Sequence, residues 1–352
     1  MDVPSISVTM IGAAGSGKTA YLHGMYNRLS SGLKGYYLYT TDPDRDLDLA
    51  EHWARLRRTG EMPKPTPDDV PVTYEFVFRR GMRDLMQVDF VDFRGDSLVT
   101  PRGLARDASR LGERLEATDT IILALDSEHV AEWVKAGAPG SLERAGDLME
   151  IPRCSIAISR VFSNRFRARQ PPPGVVVLLT KVDLLAARTG MSAAEALQVV
   201  ARNLGNLVPA LAGEEAEGVT VALCPIQLGT FGEGDRTIVD ATRISPKNLH
   251  LPIVFSLRHY LSEGIARNEH EMARLSAGLD SSRGELAALS QGLFGGIFRG
   301  DRKSSARQQI ERLVADSRAT SADLQRAQDR CAELDQELRG IAIYRDGRLL
   351  TD

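Results

Sequence analysis

The stretch Ser5-Ile6-Ser7-Val8-Thr9-Met10-Ile11-Gly12-Ala13-Ala14-Gly15-Ser16-Gly17-Lys18-Thr19 decides how the chain is read. Its opening, Ser5 to Ile11, reads as a strand, Gly12 to Thr19 fits G-x-x-x-x-G-K-[ST] completely, and helix-forming residues continue to Leu29. The order strand, glycine-rich loop, helix is what phosphate binding requires. Glycines let backbone amides turn inward around phosphate oxygens, and the helix N-terminus adds its partial positive charge. Lys18 is expected to reach the β and γ phosphates of a nucleotide, and the Thr19 hydroxyl to hold Mg²⁺.

Working outward, further strand candidates lie at Val72 to Arg79, Leu85 to Phe93, Thr120 to Leu125, Val175 to Leu179 and Val219 to Leu223. Helix-length segments separate all but two of them, which the short Arg80-Gly81-Met82-Arg83 turn joins into an antiparallel hairpin. The expected fold is therefore α/β, with a mixed, mostly parallel six-stranded sheet. The strand Met86 to Val91 ends in Asp92-Phe93-Arg94-Gly95, a D-x-x-G. A carboxylate there is expected to hold Mg²⁺ through water, and the Gly95 amide to meet the γ-phosphate. Further on, the apolar strand Val175 to Leu179 runs into Thr180-Lys181-Val182-Asp183.

With this tetrapeptide the chain resembles the P-loop GTPases of the translation-factor and Ras-like (TRAFAC) class, whose base-reading element is [NT]-K-x-D. The resemblance covers roughly residues 5 to 250. It implies phosphate contacts from Gly12, Ala14, Gly15, Ser16, Gly17, Lys18, Thr19 and Ala20. It also implies that Asp183 accepts N1–H and the 2-amino group of guanine, that Lys181 lies along the base, and that Thr180 ties this loop to the phosphate loop. A buried carboxylate left unpaired by adenine would select GTP or GDP over adenine nucleotides.

Leu223-Cys224-Pro225-Ile226-Gln227 occupies the position of the family's loop that caps guanine from the other side, with Cys224 where relatives have a small residue. GTPases of this class close a threonine onto Mg²⁺ and the γ-phosphate. Of Thr40, Thr41, Thr66 and Thr73, the choice is Thr66 in Pro63-Lys64-Pro65-Thr66-Pro67, because Thr73 is expected inside a strand and the first two lie far from the third strand. The segment Asp44 to Arg58 between them looks helical.

Ras-like enzymes orient water with a glutamine straight after D-x-x-G, where this chain has Asp96. A carboxylate beside the γ-phosphate is electrostatically awkward, so hydrolysis is expected to be slow unaided. Catalysis would then rest on Lys18, Thr66, Gly95 and Asp96, and metal binding on Thr19, Thr66 and Asp92. The long first switch, the insertion Asp126 to Pro173 and the acid after the glycine look closest to the double-GTPase group of prokaryotic conflict and signalling systems. Two other readings stay open: a GTP-binding scaffold without turnover, and an ATP-binding P-loop protein.

A net charge of −3 gives no electrostatic footprint for gripping nucleic-acid phosphates, so no nucleic-acid partner is expected. Apolar runs are too short to span a bilayer and the start is no signal peptide, so a cytoplasmic location is expected. Cys154, Cys224 and Cys331 form no C-x-x-C pair and read as buried apolar residues. His23, His259 and His270 have no second ligand at metal spacing.

After Pro252 the pattern changes. Leu257 to Ser290 and Ser304 to Leu338 carry apolar residues every three or four positions, the stripe of an antiparallel helical hairpin (coiled coil) with an arm of about 50 Å. The expected organisation is 1–252 as nucleotide domain, 253–340 as arm and 341–352 as a small β-hairpin tail with an Asp346-Gly347 turn. At the arm's tip, 292–300, Leu293, Phe294, Ile297 and Phe298 adjoin Arg299, Arg302 and Lys303. That combination suits a protein partner, self-association, or peripheral contact with the inner membrane face.

Overall fold

The first strand, β1 (Ser5–Ile11), is buried continuously from Val8 onward, and Gly17 in the left-handed region then N-caps α1 (Lys18–Ser30). The computed structural model describes residues 3–64, 72–93, 105–137, 143–232, 237–291 and 299–350. Its further elements are β2 (Tyr36–Thr40), α2 (Pro43–Thr59), β3 (Val72–Arg80), β4 (Arg83–Asp92), α3 (Ala105–Ala117), β5 (Thr120–Asp126), α4 (Ser127–Lys135), α5 (Glu143–Leu148) and α6 (Ile151–Arg167). They continue with β6 (Gly174–Thr180), α7 (Val182–Thr189), α8 (Ala193–Arg202), α9 (Leu204–Leu207), β7 (Thr220–Pro225), β8 (Gln227–Gly229) and β9 (Ile244–Lys247). Last come α10 (Leu251–Gln291), α11 (Arg299–Glu337), β10 (Ala342–Arg345) and β11 (Arg348–Leu350).

The main sheet runs β11-β10-β7-β6-β5-β1-β4-β3-β2. Strands β7, β6, β5, β1 and β4 are mutually parallel, while β3, β2, β10 and β11 add antiparallel edges. Strand residues of one parity, among them Ile121, Leu123, Val175, Val177 and Val221, join one core cluster with Leu111 of α3, Trp133 of α4 and Ile158 of α6. Those of the other parity, such as Ile122, Val176 and Ala222, are equally buried outside it, so both faces of the central strands are covered.

The expected α/β class with its β3–β4 hairpin is the observed one, but among the described residues the sheet has nine strands rather than six. Strand β2 extends the hairpin side, where Tyr36 stacks on Phe78 at 5.4 Å between ring centroids. On the other side the 341–352 tail does not stand alone: β10 pairs with β7, covering what would be an open edge. The Tyr344 hydroxyl donates to Ala201 O at 2.6 Å, the Gly218 amide donates to Asp346 Oδ1 at 2.7 Å, and positive φ at both Asp346 and Gly347 closes the hairpin. The expected helix between the first strand and the hairpin is α2, capped by the Asp42 carboxylate and opened by Pro43.

The chain divides into two compact units, Met1–Leu257 with Leu338–Asp352, and Arg258–Glu337. In the second, α10 and α11 run antiparallel: Arg258 pairs with Asp335 at 2.9 Å, Ser262 meets Cys331, and Ser317 meets Met272 at 3.8 Å. Leu275, Cys331 and Leu334 of the apolar stripes are buried in this unit, and so are Ser282 and Ala306, which the stripes do not include. The tip residues Leu293, Phe294, Ile297 and Phe298 lie outside the described residues. Among the described residues no helix is long and apolar enough to cross a membrane.

Candidate functional site

At its carboxyl end β1 passes between β4 and β5, the place where an open α/β sheet leaves a crevice above its strands. The loop Gly12 to Gly17 fills that position. Gly12 (φ +141°) passes so close to β5 that a Cβ there would stand 2.4 Å from Ala124 O, so only glycine fits. Lys18 is 7% exposed and folds its ammonium back into the loop, donating to Gly12 O at 2.7 Å and Ala13 O at 2.9 Å. A cation held at the mouth of such a loop is placed to exchange carbonyl partners for phosphate oxygens. Gly17 caps α1 without any side-chain cap, so Ser16, Thr19 and Ala20 sit around an N-terminus dressed by backbone alone.

Parallel pairing of β1 with β4 sets Met10 beside Asp92, and the Phe93 amide donates to Met10 O at 3.2 Å. Asp92 is thereby fixed at 1% exposure, with its Oδ2 accepting from the Thr19 hydroxyl at 3.5 Å. A hydroxyl and a buried carboxylate are hard oxygen donors, and that donor set fits Mg²⁺. No cluster of three or more His, Cys, Asp or Glu able to hold a metal occurs among the described residues.

The third part of the site comes from the end of β6. The Thr180 hydroxyl donates to Ser16 O at 2.7 Å, which ties the tetrapeptide to the phosphate loop as expected. Lys181 adopts φ +54° and starts α7, and its ammonium donates to Gly15 O at 3.0 Å. Asp183 stands in the first turn of α7, where a carboxylate is favoured by the helix dipole. The turn after β7 is laced to the same loop: the Ile226 amide donates to Leu179 O at 2.8 Å and the Val182 amide to Ile226 O at 3.4 Å.

Cys224 departs from its expected place. It lies within β7 opposite Leu178 and is fully buried, because the strand continues to Pro225. Burial pushes its thiol pKa up, so it is a protonated core residue. Sequence reading also passed over Asp126, the last residue of β5. Its carboxylate pairs with Lys181 and accepts from the Glu128 amide at 2.9 Å. It also lines a small pocket with Ala13, Ala14, Ser16, His129 and Met149.

Thr73 lies in β3, as expected, and Thr40 ends β2. Thr66, Arg94, Gly95 and Asp96 fall outside the described residues. His23 packs against His52 at 4.9 Å between centroids, and burial first, then His52, lowers its pKa to about 4. It is a neutral packing residue at physiological pH.

Residues 6–214 match the family model described as Double-GTPase 2. No curated protein matches the chain. Among solved structures, a crystal structure of an SsGBP variant is similar at 13% identity and a TM-score of 0.27, over 63% of this chain and 49% of that one. The chain thus spans about half the length of that protein.

Proposed function

The chain belongs to the Double-GTPase 2 family, and from that premise we propose that it is a Mg²⁺-dependent switch that binds and hydrolyses GTP and whose nucleotide state governs the helical arm. Family membership itself implies binding of guanine nucleotide. The observation that best supports the rest is the convergence of Lys18, the Thr19–Asp92 pair and the Thr180–Ser16 bond at the carboxyl ends of β1, β4 and β6.

In this reading Lys18 leaves Gly12 O and Ala13 O for the β and γ phosphates, and the loop amides with the α1 N-terminus hold the remaining phosphate charge. Thr180 keeps the loop in register with α7, whose Asp183 accepts two hydrogen bonds from guanine. Thr19 and Asp92 would hold Mg²⁺, which when bound neutralises charge on the phosphate oxygens. Thr66 and the segment Asp92 to Asp96 are proposed to close on the γ-phosphate. The arm, through Leu293, Phe294, Ile297 and Phe298, is proposed to carry the contact with a protein partner or a membrane surface.

A single-turnover assay with protein in excess over GTP tests this. Slow conversion to GDP that stops when Mg²⁺ is chelated is the expected result. GTP still intact after hours would replace the switch with a scaffold that binds without turnover, the reading that Asp96 in the glutamine position favours.

A further inference from the structure

We propose that Asp126 is a positioning residue for nucleotide binding: its carboxylate holds the Lys181 ammonium against the phosphate loop, so that loop and base-reading segment form one pre-set cradle. The inference rests on the reading of Thr180 to Asp183 as the base-reading element.

Three observations carry it. Parallel pairing sets Asp126 directly beside Thr180 across β5 and β6, so the carboxylate arrives from the rigid sheet rather than from a loop. The Lys181 ammonium then has two partners on different segments, the Asp126 carboxylate and Gly15 O at 3.0 Å, and so joins β5, the phosphate loop and the start of α7 in one polar bridge. Finally, the Asp126 side chain is 9% exposed and stands beside Ala13, Ala14 and Ser16 of the loop, lining one small pocket with them. An uncompensated carboxylate there would repel a polyphosphate, whereas the pair with Lys181 neutralises it and keeps the lysine stem in one rotamer before the ligand arrives.

Asp126 has a second task, since its other oxygen accepts from the Glu128 amide and N-caps α4. The two tasks separate chemically. Asparagine caps a helix about as well as aspartate but brings no negative charge, so the ion pair with the ammonium is reduced to an ordinary hydrogen bond. Asp126→Asn should therefore leave the melting temperature of nucleotide-free protein within about 2 °C of wild type. The same variant should dissociate GDP and GTP faster, with affinity lower by about 10-fold.

Lys181→Met should weaken binding in the wild-type background and add less in the Asp126→Asn background, because the two side chains act as a unit. Nucleotide dissociation rates and melting curves of the four proteins decide the matter. Asp126→Asn dissociating GDP at the wild-type rate would overturn the proposal, as would additivity of the two substitutions. Wild-type protein that releases GTP and ATP analogues alike would instead remove the base-reading premise, independently of what Asp126 does.

Discussion

Lys18→Ala is expected to lower affinity for GDP and GTP by about 10²-fold or more, with no detectable turnover. The ammonium is nearly enclosed, and two of its partners, Gly12 O at 2.7 Å and Ala13 O at 2.9 Å, are neutral carbonyls of the loop it serves. Exchanging them for anionic phosphate oxygens converts ordinary hydrogen bonds into charge-assisted ones, each worth about 1.5–3 kcal/mol. Two such bonds correspond to roughly 10²- to 10⁴-fold in affinity. Fluorescent-nucleotide titration checks this, and an affinity within twofold of wild type would show that the loop does not hold phosphate.

The second large effect concerns stability. Gly60→Ala is expected to lower the melting temperature by about 6–12 °C. Gly60 ends α2 at φ +74°, and a Cβ there would fall 1.8 Å from Val239 O, a backbone atom with nowhere to retreat. Alanine would meet left-handed strain of about 1–2 kcal/mol. It would also push apart an antiparallel bridge in which the Val239 amide donates to Gly60 O at 2.8 Å and the Met62 amide to Thr237 O at 2.9 Å. Losing both bonds adds about 1 kcal/mol each. Because this bridge fastens the chain just before Thr66, the variant should also bind GTP more weakly. Melting within 2 °C of wild type would mean that the bridge is not a structural tie.

Legibility of the fold followed the range of the interactions that make it. Gly12 to Thr19, the β3–β4 turn and the stripes of α10 and α11 are local patterns, and each stands where its residues foretell. Strand β2 was passed over although Tyr36-Tyr37-Leu38-Tyr39-Thr40 has strong strand composition, since a five-residue run next to a helix gives little periodicity. The pairing of Tyr344 with Val221 joins distant parts of the chain, and no local pattern announces which edge a terminal hairpin will cover.

In the site, Thr180 was readable because its motif has a fixed spacing, and its bond to Ser16 O is the observed counterpart. Asp126 was not, because one acidic residue at a strand end carries no spacing; its meaning comes only from the parallel register that brings it to Thr180. Cys224 was misplaced by one structural step, for β7 runs through it to Pro225.

The central claim is that this loop reads guanine, and competition by unlabelled GTP, ATP and XTP against bound fluorescent GDP, on wild type and Asp183→Asn, tests it most directly. The account predicts displacement by GTP but not ATP in wild type, and a change of preference to XTP in the variant, whose amide presents the donor that the xanthine carbonyl needs. Equal displacement by ATP and GTP, unaltered by the substitution, would contradict it.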